Sequence, residues 1–393
     1  MRIALVNNFF LPRTSGSAHL TDGLAQKLAA KGHRVLVVTS AYGDAPDEEE
    51  RDGYRVVRLP SRSLPRLKLA MNYDVTFTMS PRNYRRLARL LDDFAPDVVH
   101  QHGQFFDLTW MTAIWARRRG VPTVLTVHTA LVHTTPTYRL LLWLADMLLP
   151  RLFIAVGRPH VVTCDWFMDA YARRRYRLRR DRYVSIPIGV DPDRLRGADG
   201  AVVRKELGLD DRPIVLSLGH VIPLRDRLAL VSAMPYLIDK RPDLAVVVVG
   251  HIYDGRFLAL ADELDVRDNL IVTGGVERDA VPGYVAAADV EGHDLQGYGL
   301  GTASLEVMAA GVPVVSVVRP DNFSGVELRS GDNVVIVPPD DAMVLAEAII
   351  RLLDDRDLAQ RVADGQRRVV LEHFSLDAVT EQHIELYERL AGG

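Results

Sequence analysis

Apolar runs recur along the first half of the chain, each followed by a stretch with helical spacing. RIALVN precedes a helical pattern from Ala18 to Ala30 that stops at Gly32, and HRVLVVTS comes next. The helical NYRRLARLLDDF leads into DVVHQH, and TWMTAIWARRRG leads into PTVLTVH; HVVTC and YVSIPI are shorter runs of the same kind. Continuous Val, Ile and Leu mark strands buried on both faces. Their alternation with helices predicts an α/β fold built on a doubly wound parallel sheet. The pattern then restarts with PIVLSLG, LAVVVVG, NLIVTGG, DVEGH and VPVVSVV. Between the two series lies IPIGVDPDRLRGADGAVVRKELGLDD, whose Gly, Pro and Asp make it a linker with one short helix. Two Rossmann-like domains are expected, 1–190 and 191–375. A last helix, about 376–393, fits on either of them. Open parallel sheets bind ligands at the carboxyl ends of their strands. The chemistry is therefore sought in the strand-to-helix loops of both domains, which would face each other across a central cleft.

The longest apolar segment, Leu140–Gly157, is interrupted by Asp146, Pro150 and Arg151. A membrane span needs about 20 largely uncharged residues, so this segment reads as a buried helix followed by a strand in preference to a membrane-surface segment. Composition agrees with a globular protein, 48% hydrophobic and 25% charged. A single cysteine, Cys164, excludes an intramolecular disulfide framework and a thiolate zinc cluster. The N-terminus enters a strand-like run with no cleavable signal pattern, and a cytoplasmic location is expected. Net charge is −3 but unevenly spread: residues 1–190 hold 28 Lys and Arg against 16 Asp and Glu, or +12, and the remainder is −15. The basic half suits an anionic surface, such as phospholipid headgroups, or a phosphorylated acceptor; equally, the two halves attract one another.

Several loops carry candidate chemistry. In LPRTSGSAH, Gly16 and Ser17 open a helix whose N–H groups suit an anion, the alternative being an ordinary N-cap. His128 stands at the tip of a strand, as do His100 and His102. No carboxylate or further histidine lies at ligand spacing from that pair, so no metal site is expected. In SLGHVIPLRDR, His220 and Arg225 follow Gly219 and can clamp a diphosphate, Arg225 with a permanent charge and His220 only when protonated. In QGYGLGTASLEVMAAG, Gly299 and Gly301 allow close approach of the backbone. Thr302 opens a helix with exposed N–H groups, and the Glu306 carboxylate suits the paired hydroxyls of a ribose.

Taken with those motifs, the chain resembles glycosyltransferase family 4, retaining enzymes of the GT-B fold, over essentially its whole length. LPRTSGSAH looks like that family's first glycine loop, IPIGVDPDRL is similar to its interdomain signature, and SLEVMAAGVPVVS closely matches its most diagnostic segment. The resemblance implies a nucleotide-sugar donor held mainly by the second domain, an acceptor held mainly by the first, and transfer without metal or other cofactor. It implies Glu306 on ribose, Gly301 and Thr302 near the diphosphate, and His128 near the donor sugar. Arg225 and His128 are the catalytic candidates, and His19 and His102 the acceptor-side ones. Two positions depart from the family. His220 and Arg225 stand where it has Arg and Lys. Tyr298 stands where a Glu normally contacts the transferred sugar; Gln296 is the other occupant if the glycines slide by two, and Glu291 and Asp294 are close by.

The expected activity is retaining transfer of a hexosyl group from a UDP- or GDP-sugar to a hydroxyl of a sugar or lipid-linked acceptor. Alternatives are a sugar-nucleotide epimerase or hydrolase of the same fold, and a non-catalytic nucleotide-sugar binder. No G-x-G-x-x-G opens either half, which counts against a dehydrogenase, and no nucleic acid is expected as a partner. Around Arg55–Arg89, basic and apolar residues mingle, with Arg82, Arg85, Arg86 and Arg89 at helical spacing. This surface is expected to dock on anionic lipid at the inner face of the cytoplasmic membrane, peripherally and in a salt-sensitive manner.

Overall fold

The structure, a computed structural model, describes residues 1–13, 15–63, 76–131 and 136–392. Part of the basic stretch between Arg55 and Arg89 therefore lies outside the described residues. The chain divides into two compact units, Met1–Gly189 with Leu376–Gly393, and Val190–Ser375.

The first unit contains strands β1 (Arg2–Asn7), β2 (Arg34–Ser40), β3 (Glu48–Arg51), β4 (Tyr54–Leu59), a small pair β5 (Arg62–Ser63) and β6 (Thr76–Phe77), then β7 (Val98–His102), β8 (Thr123–Val127), β9 (His160–Thr163) and β10 (Tyr183–Ser185). Its helices are α1 (Gly16–Ala30), α2 (Pro81–Phe94), α3 (Asp107–Arg119), α4 (Pro136–Gly157) and α5 (Trp166–Tyr176). The main sheet runs β10-β9-β8-β7-β1-β2-β4-β3, parallel except for β3 on its edge. Successive strand residues point to opposite faces. Ile3 and Leu5 accordingly pack with Leu24 and Leu28 of α1, and Ala4 and Val6 pack with Leu87 of α2 and Met111 of α3. The β3–β4 hairpin had no signal in the apolar pattern, because β3 is EEER and only half covered.

The segment expected to be a buried helix and a strand is instead one helix, α4, and it is largely exposed. Among its described residues only Asp146, Pro150 and Ile154 are buried. The apolar run IAVG stays helical, and the next strand waits until His160.

The second unit has β11 (Ile214–Leu218), β12 (Ala245–Val249), β13 (Leu270–Gly274), β14 (Val290–Glu291), β15 (Val315–Ser316) and β16 (Val335–Ile336). Its helices are α6 (Gly200–Leu207), α7 (Leu228–Lys240), α8 (Arg256–Glu263), α9 (Val281–Ala287), α10 (Thr302–Ala310), α11 (Ala342–Asp354) and α12 (Arg356–Val369). Parallel order β13-β12-β11-β14 is extended by a bridge from Glu291 to Val314 and by the β15–β16 pair. Val215 and Val246 face α7 and α11, while Leu216 and Val247 face α10. A π-helical turn, Val370–Phe374, ends this unit. The last helix, α13 (Leu376–Ala391), belongs to the first unit, where Val379, Ile384, Leu386 and Tyr387 join the core of β1.

Candidate functional site

In the second unit three loops meet at the carboxyl ends of β11 and β14. The first begins at Gly219, whose φ of +125° no other residue adopts readily, and a Cβ there would stand 2.9 Å from the His293 ring. Arg227, fully buried, shapes this loop by donating from Nη2 to the Gly219 carbonyl and from Nη1 to the Arg225 carbonyl, both at 2.8 Å. Burial pushes its pKa down to about 10, with Glu291 and Asp294 opposing, so it keeps its charge at neutral pH. His220 accepts the His251 N–H at 3.2 Å through Nδ1. Burial, and then His251 and Arg227, lower its pKa. It is therefore neutral, and the permanent charge reaching the loop's ligand side is that of Arg225.

The second loop supplies Asp294. Its carboxylate accepts from the Gly301 N–H at 2.6 Å and from Ser304 Oγ at 2.8 Å, and it forms an ion pair with the Arg225 guanidinium. Burial raises its pKa, but Arg225, His293 and these donors outweigh burial and hold it below the usual carboxylate value. Glu291, fully buried on β14, accepts from Ser304 Oγ at 3.4 Å; burial and the Asp294 charge push its pKa well up, with Arg227 and Ser304 opposing. A carboxylate thus does stand at the glycine loop, contributed by Asp294 and not by position 298. Gln296 is no substitute for an acid: its amide donates to the Asp226 carbonyl at 2.8 Å and ties the second loop to the first. Tyr298 and Gly299 continue this loop, Tyr298 half-buried and Gly299 buried.

The third part is α10. Gly301 at its N-cap offers no side-chain cap, and a Cβ there would collide with the Arg225 guanidinium. Thr302 is the first helical residue. An arginine beside a helix N-terminus suits an anion, and here the Asp294 carboxylate already takes the Gly301 N–H. One turn on, Glu306 is mostly buried and pairs with Arg194 Nη2 at 3.0 Å. Burial raises its pKa, with Arg194 and Arg278 pulling it back. Arg194 sits in a short 3-10 turn, Asp193–Leu195, inside the linker motif. Neither Arg194 nor Arg227 was picked out in the sequence, where each reads as one basic residue in a polar loop.

In the first unit Gly16 and Ser17 form the first turn of α1. Ser15 caps that helix, its side chain accepting the Ala18 N–H at 3.1 Å, and His19 lies half-buried in the same turn. His128 follows β8 directly, and its Nε2 lies 2.9 Å from His102 Nδ1, the rings stacked at 5.2 Å. His100 continues the ladder, 4.2 Å from His102 and 5.2 Å from His383 of α13. Its Nδ1 meets the Tyr387 hydroxyl and its Nε2 meets Thr126 Oγ1, each at 2.6 Å. Burial is the main cause lowering all four pKa values, to about 4 for His128 and His383, so the cluster is neutral. His102, one of the two acceptor-side candidates, is 3% exposed, between His100 and His128. A cavity beside it is lined by Thr126, Cys164, Thr380 and the three histidines His102, His128 and His383; at about 40 Å³ it has room for water. Among the described residues no group of three or more His, Cys, Asp or Glu is placed to hold a metal ion.

Comparison with known proteins bears on the family and the fold. Residues 15–189 match the family described as glycosyl transferase 4-like domain, and residues 201–369 match glycosyl transferases group 1. The chain is 30% identical over 400 residues to a GDP-mannose-dependent alpha-(1-6)-phosphatidylinositol monomannoside mannosyltransferase of Mycobacterium tuberculosis, covering 96% of each chain. It is 29% identical to a phosphatidyl-myo-inositol mannosyltransferase of Mycolicibacterium smegmatis, covering 100% of this chain and 95% of the relative. A sucrose-phosphate synthase from Thermosynechococcus elongatus superposes with a TM-score of 0.72 at 21% identity, covering 100% of this chain and 99% of the other. A glycosyltransferase from Rickettsia africae does so with 0.74 at 17%, covering 99% and 98%. These likenesses show the GT-B fold.

Proposed function

Because the chain belongs to the family 4 glycosyltransferases, we propose that it moves a mannosyl group from GDP-mannose to a hydroxyl of an inositol-phospholipid glycan at a membrane surface in the cytoplasm. The observation that carries the donor and acceptor is the 30% identity, over 96% of both chains, to an enzyme named for them. The arrangement around α10 supports it. Arg225 and the α10 N-terminus receive the diphosphate, and Glu306, oriented by Arg194, accepts hydrogen bonds from the ribose.

In this reading the bond from the anomeric carbon to the diphosphate oxygen breaks as the acceptor oxygen bonds to that carbon on the same face. The acceptor proton passes to a leaving phosphate oxygen, and configuration is retained, as in the family. Arg225 and the helix N–H groups stabilise the charge that grows on the leaving diphosphate. No cofactor is needed in this scheme. Asp294 holds Arg225 at the Gly301 backbone, which positions the cation before the donor arrives. His128, being neutral, serves the sugar as a hydrogen-bonding group and not as a cation.

The test is a transfer assay with GDP-mannose, UDP-glucose and UDP-N-acetylglucosamine, each with and without vesicles containing phosphatidylinositol and its mannosides. Mannose appearing in the lipid fraction from GDP-mannose alone supports the reading. Turnover with a UDP-sugar alone, or release of free sugar irrespective of acceptor, overturns it.

A further inference from the structure

Helix α4 is amphipathic in reverse. It is long and apolar enough to cross a membrane by length and composition, yet only 17% of its apolar window is buried. A core helix of a globular protein is mostly buried, so packing alone does not account for this sequence. Among the three residues it buries is its one acid. Asp146 is 0% exposed; it accepts from the Tyr171 and Tyr176 hydroxyls at 2.6 Å and pairs with Arg175 at 3.0 Å. Pro150 and Ile154 lie on the same inner side, and Phe153 stacks on Trp110 of α3 at 4.6 Å. The outer side carries Leu140, Leu141, Leu144, Leu148, Leu149 and Leu152, exposed by 43–66%. Residues 140, 144, 148 and 152 repeat every four and form one stripe. Six exposed leucines on a helix clamped by a buried carboxylate make a continuous apolar patch of the kind that marks an interaction surface.

The surroundings indicate the occupant. From residue 151 to residue 182 the chain carries nine arginines against Asp165, Asp169 and Asp181. Arg158, Arg173, Arg174, Arg177, Arg179, Arg180 and Arg182 are exposed, beside or just beyond the helix. Trp143, 42% exposed, stands beside Leu144 on α4 and lies under the Arg175 guanidinium at 5.9 Å, and Trp166, 38% exposed, opens α5. An apolar stripe with a tryptophan beside it, followed in the chain by an arginine-rich segment, complements an anionic lipid surface: leucines enter the acyl boundary, tryptophan sits at headgroup level and guanidinium groups meet phosphate. The helix cannot span the bilayer. It connects β8 to β9, which are adjacent and parallel, so α4 runs back along the sheet with its inner side packed on α3 and α5. It must lie in the plane of the interface. Its first residue, Pro136, is eight residues past His128, so the proposed docking element adjoins a candidate site residue in the chain.

We infer that the leucine face of α4 inserts into the surface of an anionic phospholipid bilayer and seats the enzyme there. The choice of a bilayer over a second copy of the chain rests in part on the lipid-linked acceptor proposed above. This docking differs from the salt-sensitive attachment expected of the α2 arginines, because leucine burial does not weaken as salt rises.

The experiment compares the full chain with the triple variant Leu144→Gln, Leu148→Gln, Leu152→Gln, whose three sites are exposed and whose folding is checked by thermal melting. Vesicles of phosphatidylcholine with phosphatidylinositol, and of phosphatidylcholine alone, are sedimented with each protein at 0.1 M and 1 M salt. The native chain is expected to bind the anionic vesicles and to retain part of that binding at 1 M salt, with Trp143 emission shifting to the blue. The variant is expected to lose at least tenfold in binding and to keep transfer onto a short-chain acceptor that needs no membrane. Vesicle binding unchanged in the variant, or abolished for the native chain by 1 M salt, overturns the inference. So does a native chain that ignores vesicles and is a dimer made monomeric by the three substitutions, since a second copy then covers the face. Loss of vesicle binding in the variant, with neither protein mannosylating lipid, keeps the docking surface and removes the acceptor reading. Mannosylation of lipid by both proteins alike, with equal binding, does the reverse.

Discussion

Glu306 was legible in the sequence because its helix, SLEVMAAG, carries both its neighbours and its spacing from the glycines. Its partner was not, since Arg194 lies 112 positions away. Replacing Glu306 by Ala is expected to weaken GDP-mannose binding by roughly 1.5–3 kcal/mol, the value of a buried hydrogen bond to a charged acceptor, and Glu306→Gln by less. Calorimetry giving equal affinities for native and both variants would remove the ribose assignment. Arg225 has a different signature. Charge on the diphosphate rises in the transition state, so Arg225→Ala should lower kcat by a larger factor than it raises the donor KM. A raised KM with kcat intact would leave Arg225 as a ground-state binding residue only. The acid sought at position 298 illustrates the limit of motif reading. The sequence shows Asp294 as one acid near a glycine loop; the fold alone brings it to Gly301 and Arg225.

At the level of elements, α13 was a helix by its spacing but had no assigned partner. Its attachment is decided by Tyr387, which joins the core of β1 and places its hydroxyl on His100, 287 positions away. The His100 ring has its other nitrogen on Thr126, so a phenylalanine at 387 keeps the packing and leaves Nδ1 buried without a partner. Tyr387→Phe should lower stability by roughly 1–2 kcal/mol. The check is a urea melt in which the midpoint falls while the slope is unchanged; an unaltered midpoint would mean that water replaces the hydroxyl. Helix α4 shows the opposite failure. An apolar segment with one acid reads as a core helix by pattern, yet Tyr171, Tyr176 and Arg175 draw that acid inward and turn the leucines out.

Across the whole molecule the charge asymmetry follows the units. The first unit takes the +12 of residues 1–189 together with four acids and one arginine of 376–393, giving +9, and the second is left with −12. Stability should depend on pH through the neutral histidines. His100, His102, His128 and His383 are held below their ordinary value of 6.5 in the fold, whereas the unfolded chain protonates them there. The unfolded state then binds more protons, and stability is present above pH 6.5 and lost as pH falls toward about 4, where His128 and His383 titrate in the fold. Each fully buried histidine contributes a slope of up to about 1.4 kcal/mol per pH unit. Glu291 and Glu306, raised by burial, work in the other direction but are fewer. Urea midpoints measured from pH 7.5 to 4.5 should drop mainly below 6.5; a flat profile would show that the cluster is hydrated and protonates in place. The sequence by itself determined the two series of strands and helices, because a strand buried on both faces must be continuously apolar, and it determined the family through one short helix and its glycines. Tertiary structure alone decided which unit holds α13, which way α4 faces and which acid meets Arg225, because each depends on contacts between side chains far apart in the chain, which no local period encodes.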